Sequence, residues 1–188
     1  NCTSRNRNFL NDYARTHYPN CALIGRLDAD DRLCTPGTIA AVEKLFDEHS
    51  FDVLIAGNKQ VKGGVVQEWK NQPSRQLLNE AYLLNRLREM AKGNAKAELP
   101  SCNTFIRPIV QTQYPKQSSA EDHWFTVLLL LQKSNLDILI AEELLYCEYS
   151  LDGLATADNK QTDNYHRSRQ DLLHFYHNSI CKAKESKR

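Results

Sequence analysis

The sequence lacks the features that mark membrane-spanning, zinc-finger and polyanion-binding proteins. Its longest apolar run, from Phe125 to Leu131 with Thr126 inside it, is far shorter than the ~20 residues of a transmembrane helix. Its six cysteines include no C-x-x-C pair and no zinc-site spacing, which favours reduced thiols in a cytoplasmic protein. The formal net charge is only +1, so no nucleic-acid partner is expected.

The amino-terminal region also lacks two features. No signal peptide is visible, and the residues from Asn1 to Asn8 are polar, so no hydrophobic strand precedes the first helical pattern. The composition is otherwise ordinary for a globular protein, with 41% hydrophobic and 25% charged residues. A chain of 188 residues fits one domain.

What the sequence does contain is an alternation of helix and strand patterns, which indicates an α/β fold. A helix is expected from Arg7 to Tyr18, and another is expected to open at Thr35 as N-cap, with Ile39 on its apolar face. The remaining predicted elements are strands at 21–24 and 52–57, a hairpin at 61–66 around Gly63-Gly64, a helix at 74–92, a strand at 103–106, a helix at 121–133, strands at 138–140 and 144–149, and a final helix after a polar segment at 150–163.

Three carboxylates, Asp28, Asp30 and Asp31, follow the first predicted strand within four residues. Carboxylate oxygens suit Mg²⁺ or Mn²⁺, and the carboxyl end of a strand faces the usual ligand crevice of an α/β protein. An isolated D-x-D is more often a solvated turn. An EF-hand is excluded because Leu33 and Ile39 occupy the positions that need Gly and Glu.

A second acidic pair, Glu121 and Asp122, stands at the start of an apolar helix. Ser118 and Ser119 each precede one of these acids by three residues, so both pairs match capping boxes. A carboxylate at a helix amino terminus is also kept ionised by the helix dipole, as a general base requires. The pair is compatible with a cap, a base or both.

Taken together, Arg7-Asn8 on the first helix, the run from Arg26 to Asp31 after a strand, and Glu121-Asp122 roughly ninety residues later resemble the family-two inverting glycosyltransferases. The segment from Leu99 to Arg107 is similar to the family's strand beside the donor sugar. The resemblance covers roughly residues 5 to 150. It implies a GT-A fold, a mixed sheet flanked by helices.

The resemblance also implies a single glycosyltransferase-like catalytic domain over residues 1–188, with 150–188 forming a lid and a C-terminal helix. Family members open with a hydrophobic strand that recognises the nucleobase, and no residues here match it. The domain is therefore expected to be N-terminally incomplete. The implied reaction transfers a sugar from a nucleotide-diphosphate donor, with UDP as the family expectation, to a saccharide or lipid-linked acceptor in cell-surface polysaccharide synthesis.

Roles of single residues follow from the same resemblance. Asp30 is the expected ligand of Mn²⁺ or Mg²⁺, Asp28 lies close to the metal or the ribose, and Asp31 supports the loop. Asp122 is the expected base, and Glu121 orients the base or the acceptor hydroxyl. The expected donor contacts are Arg7 and Asn103.

Weaker candidates accompany these residues. Trp124 could stack on a sugar face, although a core position is favoured. His166 follows the polar segment, where relatives place a group that completes the metal shell, but a surface histidine is the simpler interpretation. His174 and His177 are spaced as a metal pair with no evident third ligand, so they are expected to be solvated.

Two other functions stay open. A haloacid-dehalogenase-like phosphatase would use Asp28 as nucleophile and Asp30 as acid/base, but that family usually has Thr or Val where Arg32 stands. A non-catalytic module that binds carbohydrate or a partner is the other alternative. The expected location is cytoplasmic, with peripheral association at the inner face of the membrane as an option.

Overall fold

The structure is a computed structural model that describes residues 2–100, 104–117, 119–152 and 163–186, apart from the side chain of Cys2. The helices are α1 (Cys2–His17), α2 (Thr38–Glu48), α3 (Glu80–Ala91), α4 (Glu121–Leu130) and α5 (Asp163–Glu185). The strands are β1 (Arg32–Leu33), β2 (Val53–Lys62), β3 (Val65–Asn71), β4 (Thr104–Ile106) and β5 (Ile138–Ser150). Short 3₁₀ turns lie at Arg75–Leu78 and Ala95–Ala97.

Strand β2 is the centre of a mixed five-stranded sheet. It pairs in parallel with β5 along one edge, and β1 continues that side antiparallel to β5. Its other edge pairs antiparallel with β4 near its start and with β3 near its end. The prediction of an α/β protein with a mixed sheet flanked by helices is therefore confirmed.

The central position of β2 follows from its sequence. The stretch from Val53 to Asn58 is buried without interruption, as expected for a strand covered on both faces. Alternate side chains enter different cores because successive residues of a strand point to opposite faces. Val53 and Ile55 pack with residues of α3, α4 and α5, while Leu54 packs on the other face with Val42 of α2.

The predicted hairpin at 61–66 is confirmed. Gly63 and Gly64 join β2 to β3 with φ angles of 57° and 75°. A two-residue turn of this kind requires positive φ at both positions, which glycine adopts without steric cost. The predicted helix at 74–92 is divided at Asn79, whose side chain caps the start of α3. Strands 138–140 and 144–149 are one strand, β5.

Three local predictions are wrong. The segment 21–24 is not a regular strand, because only Ile24 forms a bridge, with Ile106 of β4. Thr35 is not the cap of α2, which begins at Thr38 after Gly37 without a side-chain cap, and Ile39 is exposed. The capping box predicted at Ser119 is the third, because no side chain caps the start of α4.

The start of α4 has a different geometry. Ala120 occupies the N-cap position with a φ of 59° and no capping side chain. The predicted partner Ser118, Asn103 and most of the predicted lid at 150–163 lie outside the described residues. No described helix has the length and apolarity needed to cross a bilayer. Among the described residues, Cys21, Cys34, Cys147 and Cys181 form no disulfide bond.

Candidate functional site

The first acidic loop is held in place by the bridge at Ile24. Both backbone hydrogen bonds between Ile24 and Ile106 are formed, at 2.8 and 3.0 Å. Asp28 follows four residues later, and the Asp31 amide donates to the Asp28 carbonyl at 3.0 Å to close a turn. The acidic loop therefore leaves the sheet beside β4, where the single bridge replaces the predicted strand.

The second acidic pair stands in the first turn of α4. Asp122 Oδ1 accepts a hydrogen bond from the His123 amide at 2.9 Å, so the carboxylate folds back onto the helix start. This contact satisfies one of the amides that a helix leaves without an internal partner. Glu121 points instead towards α1.

Arg7 of α1 joins the two acidic segments. Its Nη1 donates to Glu121 Oε1 at 2.7 Å, and its Nη2 lies 3.4 Å from Asp28 Oδ2. Only 14% of the Arg7 side chain is exposed. Charge-assisted hydrogen bonds of this kind are stronger than neutral ones, and their strength increases away from water.

Arg26 forms a second connection between the same segments. Its Nε lies 3.0 Å from Asp28 Oδ1, and its Nη2 lies 3.9 Å from Asp122 Oδ2. Both oxygens of Asp28 therefore face a guanidinium group. The structure brings Arg7, Asp28, Glu121 and Asp122 into one cluster around Arg26, and we call these five residues the acid–arginine cluster.

Tyr114 forms the floor of the acid–arginine cluster. The guanidinium carbons of Arg7 and Arg26 lie 5.5 and 6.0 Å from the centre of its ring, and Arg26 donates to its hydroxyl at 3.4 Å. Asn8 fixes the backbone of Tyr114 by donating to its carbonyl and accepting from its amide. The ring also stacks on Phe125 with centroids 4.0 Å apart. Cation–π contacts and this clamp hold both arginines in place.

The two carboxyl groups of α4 differ in proton affinity. Burial and the neighbouring charge of Asp122 raise the pKa of Glu121, although Arg7 acts against them. Burial also raises the pKa of Asp122, but the charges of His123, Arg7 and Arg26 outweigh it and bring the pKa below its usual range. Asp122 is therefore the carboxylate that stays ionised, while Glu121 holds a proton more readily.

Asp31 and Asp30 complete the acidic loop, and Asp31 is the more buried of the two. Asp31 Oδ1 accepts the Ser150 amide at 2.9 Å, which ties the loop to the end of β5. Burial, with added repulsion from Asp28 and Asp30, raises the pKa of Asp31 to about 6. Asp30 is exposed in the turn.

A second polar network lies behind Asp122. The buried His123 approaches Glu98, with Nε2 and Oε2 3.6 Å apart. Arg169 Nη2 of α5 donates to Glu98 Oε1 at 2.6 Å, and the Tyr165 hydroxyl donates to the same oxygen. Although burial raises the pKa of Glu98, contacts with His123 and Arg169 hold it well below its usual range. The network connects α5 to the first turn of α4.

The structure places two weaker candidates, Trp124 and His166, where the simpler interpretations of the sequence put them. Trp124 is buried and its ring packs against Phe175 of α5 at 4.9 Å, so it is a core residue and not a sugar platform. His166 lies beside Gly93, which follows the end of α3. A Cβ atom placed on Gly93 would lie 3.3 Å from Cε1 of His166. It is not part of any group of ligands around the acidic loop in the described residues. Asn103 remains a prediction.

The described residues contain no three His, Cys, Asp or Glu side chains placed to hold an ion by themselves. A magnesium ion usually needs only one or two protein carboxylates, because waters and substrate phosphates complete its shell. Asp30 is exposed and therefore open to such an ion. Both oxygens of Asp28 face guanidinium groups, so Asp28 would bind a metal only by releasing one of these ion pairs.

Comparison of the chain with family models, with curated proteins and with solved structures gives no match. The site must therefore be interpreted from its own geometry. The sequence assigns no role to Arg26, Tyr114 and His123, which contact predicted site residues, or to Glu98, which is connected to Asp122 through His123. For Arg26 a signal exists, since it stands two residues before Asp28. The partners of the other three are distant in the chain, and no local pattern indicates them.

Proposed function

We propose that the chain is an inverting glycosyltransferase of the GT-A type that transfers a sugar from a nucleotide-diphosphate donor to a saccharide or lipid-linked acceptor. The observation that supports it is the meeting of Asp28 with Glu121 and Asp122 in the acid–arginine cluster. The resemblance requires these two motifs to share one site. Cell-surface polysaccharide synthesis and a UDP-linked donor are the expectations that accompany the proposal.

In the proposed reaction, Asp122 accepts the proton of the acceptor hydroxyl. The acceptor oxygen forms a bond to the anomeric carbon as the bond from that carbon to the diphosphate oxygen breaks, and the leaving diphosphate takes the electron pair. The lowered pKa keeps Asp122 ionised at neutral pH and so able to accept a proton, but it also makes Asp122 a weaker base than a group whose pKa lies near the working pH. Glu121 orients the acceptor or the base.

The charge of the site bears on donor binding. Asp28, Glu121 and Asp122 outnumber Arg7 and Arg26, so a diphosphate would enter a site that already has an excess of negative charge. A divalent cation held by Asp30 and Asp28 would offset this charge and stabilise the leaving group. The two guanidinium groups supply the remaining positive charge next to Asp28.

The phosphatase alternative is less compatible with this geometry. A nucleophilic Asp28 would need an oxygen directed at a phosphorus atom, but both of its oxygens face arginines. The non-catalytic alternative predicts no turnover.

The test is donor binding and cleavage by the intact protein. Calorimetry with UDP in the presence of Mn²⁺ should show binding that is lost in Asp30→Ala. Release of UDP from UDP-sugars should fall at least about a hundredfold in Asp122→Asn, since loss of a catalytic base typically costs this much. Asp47→Asn is the matched control because Asp47 is an exposed acid on α2. Cleavage of a simple phosphomonoester, or no binding of any nucleotide sugar, would count against the proposal.

A further inference from the structure

Helix α1 has its polar and apolar faces reversed. The side that faces the protein carries polar groups: Arg7 bonds Glu121, Asn8 clamps the Tyr114 backbone, and Arg15 donates to the Val110 carbonyl at 2.6 Å. The opposite side carries Phe9 and Leu10, which are 65% and 61% exposed. A surface helix of a globular protein normally directs its apolar face inwards, so this reversal requires an external explanation.

The exposed side of α1 is part of a larger apolar surface. Tyr13 lies one turn after Phe9, and its ring centre is 6.2 Å from that of Phe9 and 6.5 Å from that of Tyr18. We call Phe9, Leu10, Tyr13 and Tyr18 the apolar stripe.

Basic residues border the apolar stripe. A groove of about 740 Å³ runs between α1 and the loop at 114–116, and its lining includes Arg5, Lys116, Ser4 and Phe9. The acid in this groove, Asp12, is ion-paired with Arg15 at 2.7 Å. The Ser4 hydroxyl is buried and has no hydrogen-bond partner among the described residues. The surroundings therefore complement an anionic group next to an apolar one.

We propose that the apolar stripe is a contact surface for an anionic lipid membrane and that the groove receives a lipid phosphate between Arg5 and Lys116. Phe and Leu side chains on one helix face with flanking cations are typical of helices that lie in the membrane interface. Exposed tyrosines favour the same region because their rings are apolar and their hydroxyls are polar. A partner that is only apolar would need no such border of cations.

This inference does not depend on the glycosyltransferase reaction, but it predicts how the acid–arginine cluster is oriented relative to the membrane. Arg7 and Phe9 lie on opposite sides of α1, so a membrane on the stripe leaves the acid–arginine cluster on the inner side of the same helix. The groove also reaches Tyr114, the floor of that cluster. A lipid-linked acceptor would then approach along the helix that already contacts the acids.

Sedimentation of the intact protein with vesicles tests the proposal. We expect binding to phosphatidylcholine vesicles that contain phosphatidylglycerol, and weaker binding to phosphatidylcholine alone. Phe9→Ser with Leu10→Ser should weaken the partition coefficient at least about tenfold, because two large apolar side chains no longer enter the interface. Arg5→Gln with Lys116→Gln should lower binding to the anionic vesicles about tenfold.

The control is Val65→Ser with Val66→Ser, a similarly exposed pair on the hairpin, which should leave binding unchanged. Circular dichroism should show unchanged folding in all variants, since every substituted side chain is exposed. Absence of vesicle binding, or binding that the Phe9/Leu10 variant retains, would overturn the proposal. Two further results would also overturn it: a dimer that this variant dissociates, and protection of Phe9 and Tyr13 from hydroxyl radicals in the intact protein without vesicles.

Discussion

Arg7 Nη1 lies 2.7 Å from Glu121 Oε1, although 114 residues separate them in the chain. The pair joins the first helix to the first turn of α4, and both side chains are largely buried. A buried ion pair adds little to the free energy of unfolding when it is compared with two apolar residues in the same place. Removal of only one partner is costly, because the other charge is then buried without a partner. Arg7 is therefore important for stability as well as for the proposed chemistry.

Replacement of Arg7 by methionine should destabilise the fold by about 2 kcal/mol at neutral pH. Glu121 would then face Asp122 without its cation, so its pKa should rise further. The loss of stability should be smaller at acidic pH, where Glu121 is protonated. Urea unfolding of the parent and the variant at several pH values measures this difference in the free energy of unfolding.

Two further variants make this result specific. Adding Glu121→Gln to Arg7→Met should restore part of the stability, because the unpaired charge is gone. Arg5→Met is the matched control, since Arg5 is exposed on the same helix. An equal loss in both single variants would show that the ion pair is not responsible.

Gly25 is the residue through which the chain passes from the Ile24 bridge to Arg26. A Cβ there would lie 2.4 Å from Cε1 of Phe105, a buried ring packed edge-on against Tyr146. Gly25→Ala should therefore cost about 1–3 kcal/mol, as expected for overpacking. Gly37→Ala should have a much smaller effect, because its nearest contact would be 3.9 Å away. Thermal unfolding of both variants measures the difference, and equal melting temperatures would refute this account.

The sequence predicts the elements that depend on local patterns. The Gly63-Gly64 turn, the buried run in β2 and the periodicity of α1 each lie within one short window. Their physical causes, the backbone freedom of glycine and the spacing of apolar residues, are local as well. These elements are therefore present where the sequence places them, with ends that differ by a few residues.

The site is predicted less completely, because its contacts are long-range. Asp28, Glu121 and Asp122 can be selected from their order, and Arg7 is also an expected site residue. The ion pairs by which Arg7 and Arg26 join these acids are visible only in three dimensions. The capping box at Ser119 is a local pattern that tertiary structure overrides, since Ala120 adopts a left-handed conformation before α4. Glu98 meets His123 of α4 and Arg169 of α5, and both contacts join segments that are far apart in the chain.

Arg169→Met should test the network behind Asp122. Glu98 would lose its closest cation, and a loss of about 2–4 kcal/mol is expected at neutral pH. The folded-state pKa of Glu98 is depressed, so its contribution is present above the unfolded value of 4.5 and is lost as pH falls. The difference between variant and parent should therefore diminish in acid. Arg167→Met, an exposed arginine on the same helix, should change little, and guanidinium unfolding compares the two. A pH-independent loss would argue for packing instead.

The contribution of Asp31 to stability should depend on pH in the opposite direction to that of Glu98. Its pKa rises from 3.8 to about 6 in the folded state, mainly through burial, so the folded protein keeps a proton that the unfolded chain has already lost. Stability is therefore lost as pH rises through this interval. Asp31→Asn removes the ionisation and retains an oxygen that can accept the Ser150 amide. The variant should become more stable relative to the parent between about pH 4 and pH 7, as urea unfolding would measure. Asp47→Asn should show a constant difference, and a flat profile for Asp31→Asn as well would mean that burial does not perturb this carboxyl group.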